Sequence, residues 1–280
     1  MPRSHKNLAR HNKTSAPVWD PDSERYVSRL VAAGKNVTYL QRTALNTWYR
    51  SGKAKGWFSK VTSMTLHTWA AAGPNAVNLI TSAPVGFFSG TVTHNTGKIS
   101  FGANGYFNFN AAPAALGLSA TNQTLFMMHA NNETGTADVM DMGTYEQGFE
   151  CNPAWSLPPK RGYFRMGGFS NNVLSFEGVD TTGITVGGIW AQSRDGANAV
   201  VKFHNGTSVL TMASSSSFSG GAIPSVNITL GCRMDTPATP AGFTQREYRL
   251  SGAGTGLTST QVDDFLTDTK SLLTGLSVSF

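Results

Sequence analysis

The stretch FECNPAWSLPPKRGYF, residues 149–164, gathers the side chains best suited to hold a ligand. Its prolines predict a stiff loop that carries an aromatic ring, with basic and phenolic groups close by. A rigid aromatic ring can stack on the apolar face of a sugar while polar neighbours bind the hydroxyls. The candidate ligand-binding residues are Trp155, Lys160, Arg161 and Tyr163. A protein interface and packing within the domain are the two alternatives that the sequence leaves open.

A second group of candidate residues is acidic and lies in ADVMDMGTYEQGFE. It contains Asp138, Asp141, Glu146 and Glu150. Carboxylate oxygens are ligands of Ca²⁺, but this spacing matches no EF-hand loop. We expect a solvated acidic face and no cofactor, with a calcium site as the alternative.

Catalytic patterns are harder to find. A retaining glycosidase needs two carboxyl groups about 5 Å apart, whereas the spacing of Glu177 and Asp180 puts them on opposite faces of a strand. The sequence has no G-x-S-x-G elbow, and its six histidines are dispersed. We expect His129 and His204 on strand surfaces and Trp190 in the core. The sequence therefore predicts a chain that is not an enzyme.

The composition is that of a folded chain with many short strands and turns. It is 40% hydrophobic and 14% charged, and it contains 30 glycines. No run approaches the roughly 18 apolar residues of a membrane helix, and the N-terminus lacks the apolar segment of a secretory signal. Of the two cysteines, Cys151 and Cys232, we expect buried free thiols, with one disulfide as the alternative.

The net charge of +6 is concentrated near the N-terminus. Residues 1–60 hold 12 Lys and Arg against 3 Asp and Glu, while residues 61–280 hold 10 against 13. Such an arm can dock on an acidic protein surface. The absence of a nucleic-acid motif makes nucleic acid the less favoured partner, and a solvated tail is a further alternative. The candidate docking residues are Arg3, Lys6, Arg10 and Lys13.

Periodicity divides the chain into three segments. Residues 1–20 form a basic extended arm, residues 21–80 a helical attachment segment, and residues 81–280 a β-rich domain. A third short helical segment is expected around Trp57 and Phe58. The spacing of the strands predicts a mainly β fold, an antiparallel sandwich of two sheets.

Two capping boxes mark helix starts. Thr38 and Gln41 precede an apolar stripe at helical spacing near the N-terminus, and Thr258 with Gln261 precedes another near the C-terminus. The sequence therefore predicts an N-terminal helical segment and a C-terminal amphipathic helix.

The order of several motifs carries a family resemblance over roughly residues 38–280. SRDGANAVVKFHNGTSV is followed by ITLGCRM and then by REYRLSGAGTGLTSTQVDDFLTDTKSLLTGL. Upstream lie ALNTWYRSGKAKGWFSKVTSM, NAVNLITS and GKISFGANGYFNF. This order resembles the concanavalin A-like (LamG-like) jelly-roll domains of bacteriophage virion and tail structural proteins.

The resemblance implies a concanavalin A-like jelly roll and a non-enzymatic virion structural protein of the tail, neck or capsid. Such a chain would be made in the host cytoplasm and would dock on other virion proteins through its basic and helical segment. We expect a symmetric homo-oligomer in the particle and no membrane span. The alternative is a carbohydrate-binding adhesin that recognises a glycan of the host surface.

Overall fold

The computed structural model describes residues 17–130, 139–144, 149–156, 161–167, 173–180, 187–205, 209–215, 222–236 and 239–279. Within these ranges the chain forms four helices and seventeen strands. The helices are α1 (Pro21–Ala32), α2 (Tyr39–Lys55), α3 (Ala72–Ala76) and α4 (Ser259–Gly275). The strands are β1 (Val61–Leu66), β2 (Phe87–Ser89), β3 (Val92–Asn95), β4 (Lys98–Phe101), β5 (Tyr106–Asn108), β6 (Asn122–His129), β7 (Met142–Thr144), β8 (Phe149–Ser156), β9 (Arg161–Gly167), β10 (Val173–Asp180), β11 (Gly188–Asp195), β12 (Asn198–His204), β13 (Val209–Ser215), β14 (Thr229–Leu230), β15 (Arg233–Thr236), β16 (Thr239–Ala241) and β17 (Glu247–Gly254).

The long helices begin where the sequence supplies their caps. Both predicted capping boxes are present, at Thr38 with Gln41 and at Thr258 with Gln261. In each, the threonine hydroxyl accepts a hydrogen bond from the backbone N–H of the glutamine, and the side-chain carbonyl oxygen of the glutamine accepts one from the backbone N–H of the threonine. These bonds satisfy backbone donors that a helix start leaves free. In the part of the chain that the structure describes, no helix combines the length and apolar character needed to cross a bilayer.

The strands form two large antiparallel sheets and one small one. Sheet A has the order β13-β12-β11-β6-β17-β4-β3, and β1 pairs with β17 beside β4. Sheet B has the order β10-β9-β8-β7-β14-β5-β2, and β15 pairs with β16. The prediction of a mainly β fold with antiparallel sheets is confirmed.

The central strands of sheet A are buried on both faces, so the described chain has three layers. Phe126 and Met128 of β6 point toward the helices, while Leu125 and Met127 point toward sheet B. This division follows from the alternation of side chains along a strand. One apolar core therefore lies between the two sheets, and a second lies between sheet A and the helices.

The helices belong to the second core. Tyr26 of α1 and Trp48 of α2 are buried in it together with Phe265 of α4. The ring of Phe265 packs on that of Phe126 in sheet A, with 4.6 Å between centroids. The division into three segments, residues 1–20, 21–80 and 81–280, stays a prediction. The helices of the second segment, however, share a core with the sheet of the third.

One expectation about local structure is confirmed in part and another is wrong. The short third helical segment expected around Trp57 and Phe58 is present as a single 3-10 turn, Phe58–Lys60, but the chain enters β1 directly after it, and β1 pairs with β17. The stretch 149–164, predicted as a stiff loop around Trp155, contains β8 and the first residues of β9. Pro153 is tolerated because the register of β8 with β9 is irregular between Asn152 and Ser156.

Candidate functional site

The β8–β9 hairpin has one apolar and one polar face. Its register places Glu150 opposite Arg165 and Asn152 opposite Tyr163. Residues that lie opposite each other share a face of the sheet, so these four side chains lie together on the face of sheet B that is remote from sheet A. We call them the outer polar cluster. The alternate positions, Phe149, Cys151, Phe164 and Met166, are fully buried between the sheets.

Charge and stacking organise the outer polar cluster. The Arg165 guanidinium lies over the ring of Tyr163, 4.4 Å from its centroid. Its Nη1 is 3.9 Å from Oε2 of Glu150, which is buried while Arg165 is 29% exposed. One face of the Tyr163 ring is thus covered by Arg165 and is closed to a stacking sugar. The cluster presents a partly exposed cation beside an aromatic ring.

A buried ion pair lies next to this cluster. The backbone N–H of Asp141 donates to Oδ1 of Asn152 at 2.6 Å. The Asp141 carboxylate pairs with the Arg246 guanidinium and accepts a 2.5 Å hydrogen bond from the Tyr248 hydroxyl. His129 Nε2 lies 3.1 Å from the same carboxylate. We call Asp141, Arg246, Tyr248 and His129 the buried Asp141 network.

The pKa values of this network follow from burial and pairing. Burial alone would raise the pKa of Asp141, but the positive charge of Arg246, together with His129 and the Tyr248 hydroxyl, holds it well below its usual range. Burial, reinforced by the negative charge of Asp141, raises the pKa of Tyr248 well above its ordinary value. Asp141 therefore carries its negative charge at neutral pH and is matched by a buried cation, which is the arrangement that a buried charge requires.

A serine and a histidine also meet in the core. His67 Nε2 lies 2.8 Å from the Ser251 hydroxyl, and His67 Nδ1 lies 3.2 Å from the Asn75 carbonyl oxygen. A catalytic triad has a carboxylate at the second position, and both His67 and Ser251 are fully buried. Burial lowers the pKa of His67 to about 3. The pair is a neutral link between β17 and the residue that follows β1.

Of the four candidate ligand-binding residues named from the sequence, only Tyr163 has a side chain that the structure describes, and it belongs to the outer polar cluster. Arg161 begins β9 and Trp155 lies in β8, but their side chains are outside what is described, as is Lys160. The docking residues Arg3, Lys6, Arg10 and Lys13 also lie outside the described residues. Sequence reasoning missed Asn152 and Arg165, for which the alternation of β8 and β9 would have been the signal.

Several expectations about charged residues are corrected. Asp141 and Glu150 were expected on a solvated face, yet both are buried because each has a cationic neighbour. His129, expected on a strand surface, is 2% exposed and lies beside Asp141. The alternative calcium site gains no support, since Asp138 and Glu146 lie outside the described residues. Among the described residues no three His, Cys, Asp or Glu side chains form a metal-binding group.

Other expectations are confirmed. Trp190 is fully buried between the sheets, and both Cys151 and Cys232 are buried free thiols. Burial raises the pKa of the Cys232 thiol to about 12 and that of Cys151 well above its ordinary value. Neither thiol is therefore ionised near neutral pH, which makes both unreactive.

Comparisons with known proteins give only distant likenesses. No protein-family model matches the chain, and no curated protein matches it either. A mutant of Trypanosoma rangeli sialidase with trans-sialidase activity is 10% identical, with a TM-score of 0.39 over 81% of this chain and 39% of that one. A mutant GH54 α-L-arabinofuranosidase is 11% identical, with a TM-score of 0.37 over 76% of this chain and 43% of that one. The Ca²⁺-bound exoplasmic domain of VIP36 is 8% identical, with a TM-score of 0.32 over 70% of this chain and 91% of that one.

These likenesses correct one prediction. The sequence predicted that the chain is not an enzyme, and this is contradicted because the first two structures are enzymes, a sialidase and an arabinofuranosidase. The chain spans about two fifths of the length of either. TM-scores below 0.5 give no basis for transferring an activity, a substrate or a ligand to this chain.

Proposed function

We propose that the chain is a bacteriophage virion protein that docks through its N-terminal segment and displays a concanavalin A-like jelly-roll domain. The proposal rests on the order of the sequence motifs over residues 38–280. One structural observation supports assigning docking and display to different parts of the chain. The chain enters the described fold at the helical layer, while the outer polar cluster lies on the opposite side, beyond sheet B.

The entry point is fixed by contacts of the first described residues. The Asp20 N–H donates to Oδ1 of Asn46 in α2, and the Asp20 carboxylate accepts from Lys53 at 2.7 Å. The Trp19 ring packs against Tyr39 and under the Arg42 guanidinium. An arm that precedes Trp19 therefore starts at the helices, on the side of sheet A remote from sheet B.

The charges of the helical layer favour the arm as the docking element. Lys53 pairs with Asp20 and Asp22, and Arg42 pairs with Glu24. Lys55 likewise pairs with acids of α4. Much of the positive charge of the helices is thus balanced within the layer. Residues 1–16 contain four Lys and Arg and no Asp or Glu, so an acidic surface of another virion protein is the partner we propose.

This function is tested by locating the chain on purified particles. An antibody against the sandwich should give immunogold label on intact particles, and peptides of the chain should be found in them by mass spectrometry. Label at the tail tip, neck or capsid would identify where the chain lies in the particle. We expect the label in several symmetric copies. Particles with neither label nor peptides would contradict the proposal.

A carbohydrate-binding adhesin is the second candidate, favoured by the outer polar cluster. A partly exposed guanidinium stacked on a tyrosine ring offers hydrogen-bond donors beside an apolar surface, as sugar binding requires. Trp155 lies on the same hairpin and would supply a further ring. The jelly-roll display domain would then face the host glycan with the outer face of sheet B.

The adhesin is tested by binding of the purified chain to envelope polysaccharide from host cells. Tyr163→Ala and Arg165→Ala should each weaken binding at least tenfold, and Trp155→Ala should do so if its ring contributes. Thr47→Ala, on the exposed side of α2, is the matched control. Binding that is equal in all four variants would exclude this surface.

A further inference from the structure

β13 is the outermost strand of sheet A. It pairs with β12 along its whole length, from Asn198 opposite Ser215 to His204 opposite Val209, without a register shift. No described strand pairs with its other side. A regular strand of seven residues thus presents a row of backbone N–H and C=O groups at the edge of the sheet.

β13 lacks the devices that normally protect such an edge. Edge strands are usually guarded by charged residues, proline, a bulge or shortness. The sequence of β13, VLTMASS, contains no charged residue and no proline. The edge strands β2 and β3 have only three and four residues, and β10 contains Glu177 and Asp180 and a register shift. Among the described edges, β13 is both long and unprotected.

The two faces of β13 differ in exposure among the described residues. Thr211 and Ala213, which point toward the helical side, are exposed. A cleft of about 450 Å³ separates β12 and β13 from the start of α4, and its lining includes Ala213, Ser214 and Leu257. Leu210 and Met212, on the other face, are only partly buried against the core between the sheets.

We propose that two copies of the chain pair through β13, antiparallel and around a two-fold axis, so that their A sheets form one continuous sheet. The register centred on Met212 pairs all seven residues and places Thr211 opposite Ala213 of the second copy. Because the strand is uncharged, a second copy meets no like-charge repulsion, and antiparallel pairing around a two-fold axis brings the same seven residues of both copies together. The inference concerns the isolated chain and does not depend on a role in a virion.

The oligomeric state of the purified chain tests this pairing. Light scattering after size exclusion should give the mass of a dimer for the unmodified chain. Thr211→Lys combined with Ala213→Lys should halve that mass, because it brings lysines of the two copies face to face. Thr267→Lys combined with Thr274→Lys adds the same charge at exposed positions of α4 and should leave the dimer intact. A monomeric unmodified chain, or a dimer that survives the β13 lysines, would overturn the proposal.

Cross-linking tests the register even if the lysine variant folds poorly. Opposite residues of antiparallel strands have Cα atoms about 4.5–5.5 Å apart, within the range of a disulfide. Met212→Cys should therefore form a disulfide-linked dimer under mild oxidation. In this register the two copies of position 211 lie diagonally across from each other, about 7–8 Å apart, so Thr211→Cys should cross-link far less. Equal or reversed cross-linking of the two variants would refute the centred register and with it the proposed pairing.

Discussion

The Trp57 indole N–H donates a 2.9 Å hydrogen bond to the carboxylate of Asp268. Trp57 lies just before β1, whereas Asp268 lies in α4, 211 residues further along the chain. Ser51 Oγ and Lys55 Nζ of α2 donate to the same carboxylate at 2.9 and 2.8 Å. One carboxylate thus joins the N-terminal helical segment to the C-terminal helix.

The first prediction concerns this carboxylate. Asp268→Ala leaves the buried Trp57 N–H and the Ser51 hydroxyl without an acceptor, and we expect a loss of about 2 kcal/mol in the free energy of unfolding. Asp264→Ala removes only a 3.4 Å, partly exposed contact with Lys55, and should cost less than about 0.5 kcal/mol. Urea denaturation of both variants measures the difference, and equal losses would refute the role of Asp268.

The second prediction concerns the buried Asp141 network. Arg246→Met leaves the Asp141 carboxylate buried without its guanidinium partner, which we expect to cost about 3 kcal/mol. Adding Asp141→Asn removes the unmatched charge and should recover part of that loss. Denaturation of the single and double variants forms the test. A double variant that is no more stable than Arg246→Met would show that packing, not charge, dominates.

The third prediction is a pH dependence of stability. The pKa of His67 is lowered to about 3 in the folded chain, whereas an unfolded histidine titrates near 6.5. The unfolded state therefore binds the proton first, and stability falls as the pH drops from about 6.5 to about 3, by up to about 1.4 kcal/mol per pH unit. His67→Gln should flatten this slope more than His204→Gln, because His204 is partly exposed. Equal slopes in the two variants would contradict the assignment.

The fourth prediction concerns a glycine inside α2. Replacing Gly by Ala normally stabilises a helix interior by about 0.5–1 kcal/mol. At Gly52, however, a Cβ would lie 2.5 Å from the Trp57 ring, which is buried and held by Asp268. We expect Gly52→Ala to lower the melting temperature, whereas Thr47→Ala, on the exposed side of the same helix, should leave it unchanged or raise it slightly. A more stable Gly52→Ala variant would show that the ring can move.

The fifth prediction separates docking from folding. A chain that lacks residues 1–16 keeps all the contacts of Trp19 and Asp20 described above, so its melting temperature should stay within about 2 °C of that of the full chain. Its incorporation into particles should be lost. The double variant Arg3→Glu with Lys6→Glu should also reduce the amount of chain that is incorporated into particles. Normal incorporation of the truncated chain would assign docking to another surface.

The sequence predicted what depends on local patterns. The capping boxes at Thr38 and Thr258 are local signals, and both match the structure. The strand β1 was missed because its pairing partner, β17, lies almost 190 residues away, and no local pattern reports such pairing. The burial of Asp141 was missed for the same reason, since Arg246 is 105 residues distant and its charge is what makes burial tolerable.

The position of β17 in sheet A has a consequence for how the chain is made. β17 is the strand that joins β1 and β4 on one side to β6 on the other, and α4 covers the sheet directly after it. Both are synthesised after every other described strand. Until β17 inserts between them, the two parts of sheet A keep apolar faces exposed. Sheet A therefore closes only after β17 has been synthesised, and chaperones that hold unfinished β chains should matter most during that interval.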